Sequence, residues 1–243
     1  MVKRERADRL LVARGLFESR AQAQAAIAAG QVTADRSQVR KPSDQIPSAA
    51  VIAAQPAHPY VSRGGVKLAA ALENFSLDVG GRVCLDVGSS TGGFAEVLLA
   101  RGARHVYAVD VGRAQLHARL RKHEGVTSIE QTDIRDLDAP RLPVAPDFAT
   151  IDVSFISLKL VLPHVSRLLQ PTATLVALIK PQFEAGRRHI KKGIVRDVAV
   201  HAAICEDIGR LLADLGWRVG GQMPSPIPGG DGNREFFIEA QRG

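Results

Sequence analysis

Cysteine is scarce in this chain: Cys84 and Cys205 are the only two among 243 residues, and neither belongs to a CxxC pair. Two thiols are too few for a disulfide scaffold or a cysteine-based metal cluster, and the count suits a reducing compartment. The seven histidines are scattered without the spacing of metal ligands. We therefore expect no metal site.

Long apolar segments are also missing. The longest purely apolar stretches have the length of a strand, as in LVALI at residues 175–179, whereas a membrane-spanning helix needs about 20 residues. The first ten residues, MVKRERADRL, contain no apolar signal region. We therefore expect a cytoplasmic protein without a membrane partner.

Positive charge is what the chain has in excess. The net charge is +7 and the pI is about 9.8, which favours a polyanionic partner. The excess is concentrated near the start, because nine basic and five acidic residues lie before Tyr60. This region could form a basic face for phosphates, or it could be an ordinary solvated helical hairpin.

The first quarter of the chain has the pattern of a small α+β domain. Amphipathic helices are predicted at residues 6–13 and 19–29, with glycines closing both helices and Ser19 as a candidate cap. Short strands are predicted at residues 31–34 and 50–54. Proline then recurs, and an extended linker is expected at residues 56–61. The predicted domains are residues 1–55 and 62–243.

The second domain is organised around VCLDVGSSTGGF, residues 83–94, which indicates a buried strand, a glycine- and hydroxyl-rich turn, and a helix. The next strand ends at Asp110, at about the separation that places a carboxylate on ribose hydroxyls. The glycine spacing is not GxGxxG. A hydroxyl-rich loop suits an adenosine ligand without pyrophosphate, which predicts S-adenosylmethionine rather than NAD. The alternative is an ordinary strand-to-helix turn.

Strands and helices continue to alternate. Helices are predicted at residues 113–123 and 196–215 and from about Ser157, with strands at 126–131 and before Asp152 and Lys180. Two late strands complete a doubly wound, mostly parallel, seven-stranded Rossmann-like sheet with an antiparallel edge pair. Ligands of such sheets lie beyond the carboxyl ends of the strands, where Asp86, Asp110, Asp152 and Lys180 are all expected.

Three further features allow two interpretations each. Lys67 is expected near the start of a helix, where the helix dipole mildly disfavours it, although exposed lysines are usually only solvated. Asp133 follows the third strand and could accept a hydrogen bond from an adenine amino group or cap a turn. The run RRHIKK, residues 187–192, could grip phosphates or form a solvated surface.

Longer motifs carry a family resemblance. DRLLVARGLFESRAQAQAAIAAGQV, followed by KPSDQI, resembles the RNA-binding domain of small-subunit ribosomal protein four. SRGGVKL, DVGSSTGGF, IDVSFISL, LIKPQFE and GNREFF resemble the TlyA family of ribosomal-RNA 2′-O-methyltransferases, also labelled haemolysin A, whose catalytic domain is FtsJ-like. The resemblance covers nearly the whole chain.

The resemblance implies an S-adenosylmethionine-dependent enzyme that acts on ribosomal RNA or ribosomal subunits. It implies a catalytic tetrad of Lys67, Asp152, Lys180 and Glu235. The candidate cofactor residues are Asp86, Gly88, Ser89, Ser90, Thr91, Gly92, Gly93, Phe94, Asp110, Val111, Asp133 and Ile134. The candidate RNA-binding residues are Arg4, Arg6, Arg14, Arg20, Arg40, Lys41, Arg63, Arg187, Arg188, Lys191 and Lys192.

The chemistry of a ribose 2′-hydroxyl explains why lysines are useful. The hydroxyl is a poor nucleophile, so transfer to it needs positioning and help at the oxygen. Lys180 could act as a base if burial or the ammonium of Lys67 lowered its pKa from about 10.4. It could instead stay charged and stabilise the developing alkoxide. We predict a cytidine 2′-O-methyltransferase, with a non-catalytic RNA-binding assembly factor or a membrane-lytic protein as the alternatives.

Overall fold

The structure, a computed structural model, describes residues 3–243 and divides the chain into two compact units. The first unit ends at Pro59 and the second begins at Tyr60. In the part of the chain that is described, no helix has both the length and the apolar character needed to cross a bilayer.

The first unit combines two short helices with two small antiparallel sheets. Its elements are β1 (Arg4–Arg6), α1 (Ala7–Ala13), α2 (Arg20–Ala28), β2 (Val32–Ala34), β3 (Ser37–Gln38), β4 (Gln45–Pro47) and β5 (Ile52–Ala54). β1 pairs with β4, and the second sheet has the order β3-β2-β5. The two predicted helices and the two predicted strands are confirmed, while β1, β3 and β4 were not predicted.

Local chemistry explains the ends of these elements. The Ser19 hydroxyl accepts a hydrogen bond from the Gln22 amide and caps α2 as predicted. Between β2 and β3, Asp35 and Arg36 have positive φ values of 49° and 67°, which is the geometry of a tight hairpin turn. The Asp35 carboxylate accepts a hydrogen bond from the Val51 amide at 2.8 Å, so the turn is also tied to the segment before β5.

The second unit is built on one seven-stranded sheet. Its strands are β6 (Val83–Val87), β7 (His105–Val109), β8 (Val126–Ile129), β9 (Phe148–Ile151), β10 (Ala173–Ile179), β11 (Arg218–Pro224) and β12 (Phe236–Arg242). The order is β11-β12-β10-β9-β6-β7-β8. β12 is antiparallel to both of its neighbours and the other pairs are parallel, which confirms the predicted fold class.

Helices cover both faces of this sheet. They are α3 (Arg63–Asn74), α4 (Gly93–Ala100), α5 (Ala118–Arg121), α6 (Leu158–Leu168), α7 (Pro181–Glu184) and α8 (Val198–Asp214). Leu68 of α3 packs with Phe148 and Phe237 in one core, and Val165 of α6 packs with Leu85 in the other. Alternate strand residues point to opposite faces, so strands that are covered on both faces are buried along their whole length, as in β6, β9 and β10.

The predicted helix at residues 113–123 is wrong in its first half, because α5 begins only at Ala118. The Glu130 carboxylate accepts hydrogen bonds from the backbone amides of Ala114, Gln115 and Leu116 at 2.7, 2.8 and 2.9 Å. Ala114 also has a positive φ of 52°. An acid beyond β8 therefore satisfies the amides of this segment, which forms an ordered loop instead of a helix.

Candidate active site

The first candidate catalytic pair joins α3 to the start of β12. Lys67 lies on the buried side of α3, and its Nζ is 2.5 Å from Oε2 of Glu235. The two side chains are 10% and 3% exposed. Each charge is thus buried beside its opposite, which is the arrangement that a buried ion needs. The helix dipole disfavours a lysine near the start of α3, and the carboxylate of Glu235 offsets this effect.

The second pair lies where β9 and β10 end. Asp152 directly follows β9 and Lys180 directly follows β10. The Nζ of Lys180 is 2.7 Å from Asp152 Oδ1 and donates a hydrogen bond to the Ser154 hydroxyl at 2.8 Å. The Lys180 side chain is 11% exposed, so this ammonium is largely shielded from water.

Strand register brings the two pairs to one edge of the sheet. In the antiparallel pairing of β10 with β12, Ile179 lies opposite Phe236, so Lys180 and Glu235 each stand one residue beyond that match. In the parallel pairing of β6 with β9, Val87 lies opposite Ile151, which puts Gly88 beside Asp152. The four predicted catalytic side chains are therefore two ion pairs next to the glycine turn.

Close packing explains why glycine occupies three positions of that turn. A Cβ on Gly88 would lie 2.5 Å from the Asp152 carbonyl oxygen, and φ is +81°. A Cβ on Gly92 would lie 2.2 Å from Leu120 Cδ1, and one on Gly93 would lie 2.2 Å from the Ser62 hydroxyl. Gly88 thus lets the ends of β6 and β9 meet, while Gly92 and Gly93 let α5 and α3 approach the turn.

A cavity of about 690 Å³ opens at the carboxyl ends of β6, β7 and β9. Six of the predicted cofactor residues line it, namely Gly88, Ser90, Asp110, Val111, Asp133 and Ile134. The Asp110 carboxylate accepts hydrogen bonds from the Ser90 and Gly112 amides, both at 2.7 Å. Asp133 pairs with Arg135 at 2.6 Å, and this hydrogen-bonded partner holds the pKa of Asp133 below its ordinary value.

The other six predicted cofactor residues do not line the cavity. Three of them are Thr91, Gly92 and Gly93, which form the turn and the entry to α4. Ser89 is 5% exposed and donates its amide to the Val109 carbonyl at 3.1 Å. Phe94 is 3% exposed and packs against Phe237 with ring centroids 6.2 Å apart. Ser89 and Phe94 are therefore packed in the interior, whereas Thr91 is exposed.

Asp86, the remaining one, is fully buried in β6. It accepts a hydrogen bond from the Thr150 hydroxyl at 2.8 Å. Burial raises the pKa of this carboxyl to about 7, because an ionised group loses its hydration there. Asp86 therefore belongs to the interior of the sheet, next to the site.

Sequence reasoning missed three residues around the site. Ser154 binds the Lys180 ammonium. Phe155 is 91% exposed with φ of +63°, and its ring lies 5.1 Å from that of Phe183. Glu184 accepts hydrogen bonds from the Ser157 hydroxyl and from the Leu158 amide. All three lie in the motifs IDVSFISL or LIKPQFE, so the motifs did mark the site. The sequence did not show which residues of the two loops contact each other.

Several predicted RNA-binding arginines have structural contacts. Arg6 and Arg20 both donate to the fully buried carboxylate of Asp8, together with Gln24, and these donors hold the pKa of Asp8 far below its ordinary value, with Arg6 the largest influence. Arg4, Arg14 and Arg63 donate to backbone carbonyls. All of the candidates except Arg6 are exposed, and those with no contact named above are Arg40, Lys41, Arg187, Arg188, Lys191 and Lys192. RNA binding by any of these residues stays a prediction.

Each of the two units matches a known protein family. The model of the FtsJ-like methyltransferase family matches residues 60–242, and that of the S4 domain matches residues 5–52. The 16S/23S rRNA (cytidine-2′-O)-methyltransferase TlyA of Mycobacterium tuberculosis is 42% identical over 241 residues, which are 98% of this chain and 90% of the relative.

Two further relatives also match nearly the whole chain. Hemolysin A of Brachyspira hyodysenteriae is 37% identical over 234 residues, covering 96% of this chain and 98% of the relative. A solved structure from Streptococcus thermophilus, named "Putative hemolysin", is 42% identical with a TM-score of 0.79 and covers 100% of this chain and 90% of its own.

The two family matches thus identify an S4 domain followed by an FtsJ-like methyltransferase domain. More narrowly, the chain belongs to the TlyA family of rRNA methyltransferases. The resemblance noted in the sequence motifs is confirmed.

Proposed function

We propose that this protein is an S-adenosylmethionine-dependent 2′-O-methyltransferase that modifies a cytidine of ribosomal RNA. The observation that carries the proposal is the placement of two lysine–carboxylate ion pairs at the sheet edge that also holds the cavity. The reaction and the base are those in the name of the M. tuberculosis relative.

The lining of the cavity fits an adenosine group. Its volume of about 690 Å³ lies in the range of small-molecule sites. Val111 and Ile134 supply apolar surface. The Asp110 carboxylate accepts hydrogen bonds from two backbone amides and has further acceptor positions for ribose hydroxyls. Asp133 offers a carboxylate to the adenine amino group. When bound, S-adenosylmethionine supplies an electrophilic methyl group.

The two lysines are suited to different tasks. Lys67 is compensated by Glu235 in a buried contact, which suits a structural and electrostatic role. Lys180 contacts Asp152 and Ser154, two residues of the cavity lining. From there its ammonium is placed to orient a 2′-hydroxyl and to stabilise negative charge on the oxygen.

Exposed basic residues provide the contacts to RNA. Arg40 and Lys41 lie in the S4 domain, and the basic run at residues 187–192 follows α7 in the methyltransferase domain. Such side chains bind phosphates without reading sequence. The partner is ribosomal RNA within ribosomal subunits, which places the protein in the cytoplasm.

The variant Lys180→Ala tests the catalytic role. We expect methyl transfer from labelled S-adenosylmethionine to purified ribosomal RNA to fall by about 100-fold or more, while calorimetry shows unchanged binding of S-adenosylhomocysteine. Lys159→Ala, which removes an exposed lysine of α6, is the matched control and should keep full activity.

Two outcomes would contradict parts of the proposal. Full activity of Lys180→Ala would remove Lys180 from the mechanism. A wild-type protein that binds ribosomal RNA but not S-adenosylmethionine would be an RNA-binding assembly factor. Mass spectrometric mapping of ribose methylation in ribosomal RNA, with and without the gene, tests whether the modified nucleotide is a cytidine.

A further inference from the structure

The ammonium of Lys180 lies between two acceptors on a single loop. Its Nζ is 2.7 Å from Asp152 Oδ1 and 2.8 Å from Ser154 Oγ, and both residues belong to the segment that joins β9 to α6. Ser154 lines the cavity and is exposed to it. Ser154 therefore lines the ligand space while its hydroxyl contacts Lys180.

This loop is fixed to the segment that carries Lys180. The Glu184 carboxylate, at the end of α7, accepts hydrogen bonds from the Ser157 hydroxyl and from the Leu158 amide at 2.7 Å. The rings of Phe155 and Phe183 add an aromatic contact at 5.1 Å. Two contacts that do not involve Lys180 thus set the distance between the loops, and the Ser154 hydroxyl is held where the ammonium can reach it.

Two oxygen atoms lie close to the Lys180 Nζ, a carboxylate oxygen of Asp152 at 2.7 Å and the Ser154 hydroxyl at 2.8 Å. The ammonium of Lys67 is compensated by Glu235 at 2.5 Å and does not act as an isolated positive charge. An ammonium has three N–H donors. One is used on the Ser154 hydroxyl, and the Asp152 carboxylate is an ion-pair partner at 2.7 Å, so N–H donors remain for a substrate oxygen.

We propose that Ser154 is a positioning residue that orients the Lys180 ammonium, with a remaining N–H directed at the 2′-oxygen of the substrate. This inference rests on the proposed function and makes it more specific. Lys180 then donates a hydrogen bond and takes no proton. The 2′-oxygen forms its bond to the methyl group as the bond from that methyl group to sulfur breaks, and the hydroxyl proton passes to water.

The kinetic test compares Ser154→Ala with Ser154→Thr, which keeps a hydroxyl. At saturating donor and RNA, we expect the single-turnover rate of Ser154→Ala to fall about tenfold, with the Michaelis constants for both substrates within about threefold of wild type. Ser154→Thr should keep most of the rate. A wild-type rate for Ser154→Ala, or an equal loss in Ser154→Thr, would refute the inference.

A measurement without turnover separates the inference from the proposed function. In protein labelled with ¹⁵N-lysine and saturated with S-adenosylhomocysteine, the Nζ signal of Lys180 is assigned by its loss in Lys180→Ala. We expect an ordered ammonium signal in the wild type and in Ser154→Thr, and a broadened one in Ser154→Ala. If this pattern appears while the wild type transfers no methyl group, the proposed function fails and the positioning role stands. If the Lys180 signal is that of a neutral amine, or is the same in all three proteins, the positioning role fails.

Discussion

Gly88 is the residue at which the glycine turn meets the end of β9. Its φ of +81° and the 2.5 Å approach of an added Cβ to the Asp152 carbonyl oxygen both oppose a side chain. The three nearest atoms to that Cβ all belong to the backbone of Asp152 and Val153, so relief requires a shift of the strand end that carries Asp152. Replacement of this glycine therefore affects folding and the site together.

We expect Gly88→Ala to lower the free energy of unfolding by about 2 kcal/mol or more and to weaken binding of S-adenosylhomocysteine. Urea denaturation and calorimetry measure the two effects. Gly186→Ala is the control, because Gly186 has φ of −62° and nothing lies within 4 Å of an added Cβ. Equal stability of the two variants would contradict the argument.

The buried pair of Lys67 and Glu235 gives a second prediction. Removing one partner leaves an unpaired buried charge, so Lys67→Met should destabilise the fold by about 3 kcal/mol. Adding Glu235→Leu should restore much of the stability without restoring methyl transfer. Lys159→Met breaks an exposed pair with Asp207, of which the side chains are 48% and 41% exposed, and should cost less than about 1 kcal/mol.

Asp86 predicts a pH dependence of stability. Its pKa is raised by burial from 3.8 to about 7, so between these values the folded protein binds more protons than the unfolded chain. Stability from this group is therefore present at low pH and is lost as the pH rises toward 7 and beyond.

The variant Asp86→Asn imitates the protonated carboxyl and should lack this loss. We expect its free energy of unfolding, measured in urea, to increase relative to that of the wild type as the pH is raised from 4.5 to 8. Comparing the difference between the two proteins cancels the contribution of other titrating groups, such as Asp8. Parallel curves over this range would show that Asp86 does not titrate as argued.

At the scale of elements, the sequence was most informative where the signal is local. Seven strands and the long helices follow from apolar runs, and Ser19 and Gly30 mark helix ends as expected. The loop before α5 was missed because its acceptor, Glu130, lies beyond the following strand.

Contacts between residues that are distant in sequence also limited the prediction of the site. The strand ends placed Asp152 and Lys180 at one edge, as parallel strands require. The contact of Lys67 with Glu235 spans 168 positions, and periodicity does not encode such a contact, so only the family resemblance joined them. Ser154 was missed because a hydroxyl in a loop has many ordinary roles.

The Glu130 loop supplies a prediction at this scale. Three backbone amides depend on one carboxylate, and Leu116 at the end of the loop packs where Gly92 has no side chain. Glu130→Ala should increase hydrogen exchange at residues 114–116 by at least about tenfold and weaken S-adenosylhomocysteine binding. Glu130→Gln keeps an acceptor oxygen and should show a smaller effect, so identical exchange in all three proteins would contradict this account.

At the scale of the whole molecule, net charge of +7 does not by itself identify the RNA-binding surface. Arg6 and Arg20 contribute to that charge, yet both are bound to the buried Asp8. Their loss would destabilise the fold, so a change in RNA affinity could not be assigned to lost phosphate contacts. Arg40 and Lys41 are exposed. Their backbone amides, not their side chains, contact Asp44, so replacing the side chains leaves that turn intact.

We therefore expect the double variant Arg40→Ala/Lys41→Ala to keep wild-type stability and S-adenosylhomocysteine binding while its affinity for ribosomal RNA falls. If both side chains bind phosphates, the slope of log affinity against log salt concentration should become shallower by about 1.5, since each neutralised phosphate of a nucleic acid contributes about 0.7 to 0.9. Arg101→Ala/Arg104→Ala removes the same charge from exposed positions near the amino-terminal end of β7, away from the edge that holds the site. Fluorescence anisotropy with labelled ribosomal RNA fragments at several salt concentrations measures both slopes. The same small change in the two double variants would mean that the basic residues act only through net charge, and that Arg40 and Lys41 make no direct contact with the RNA.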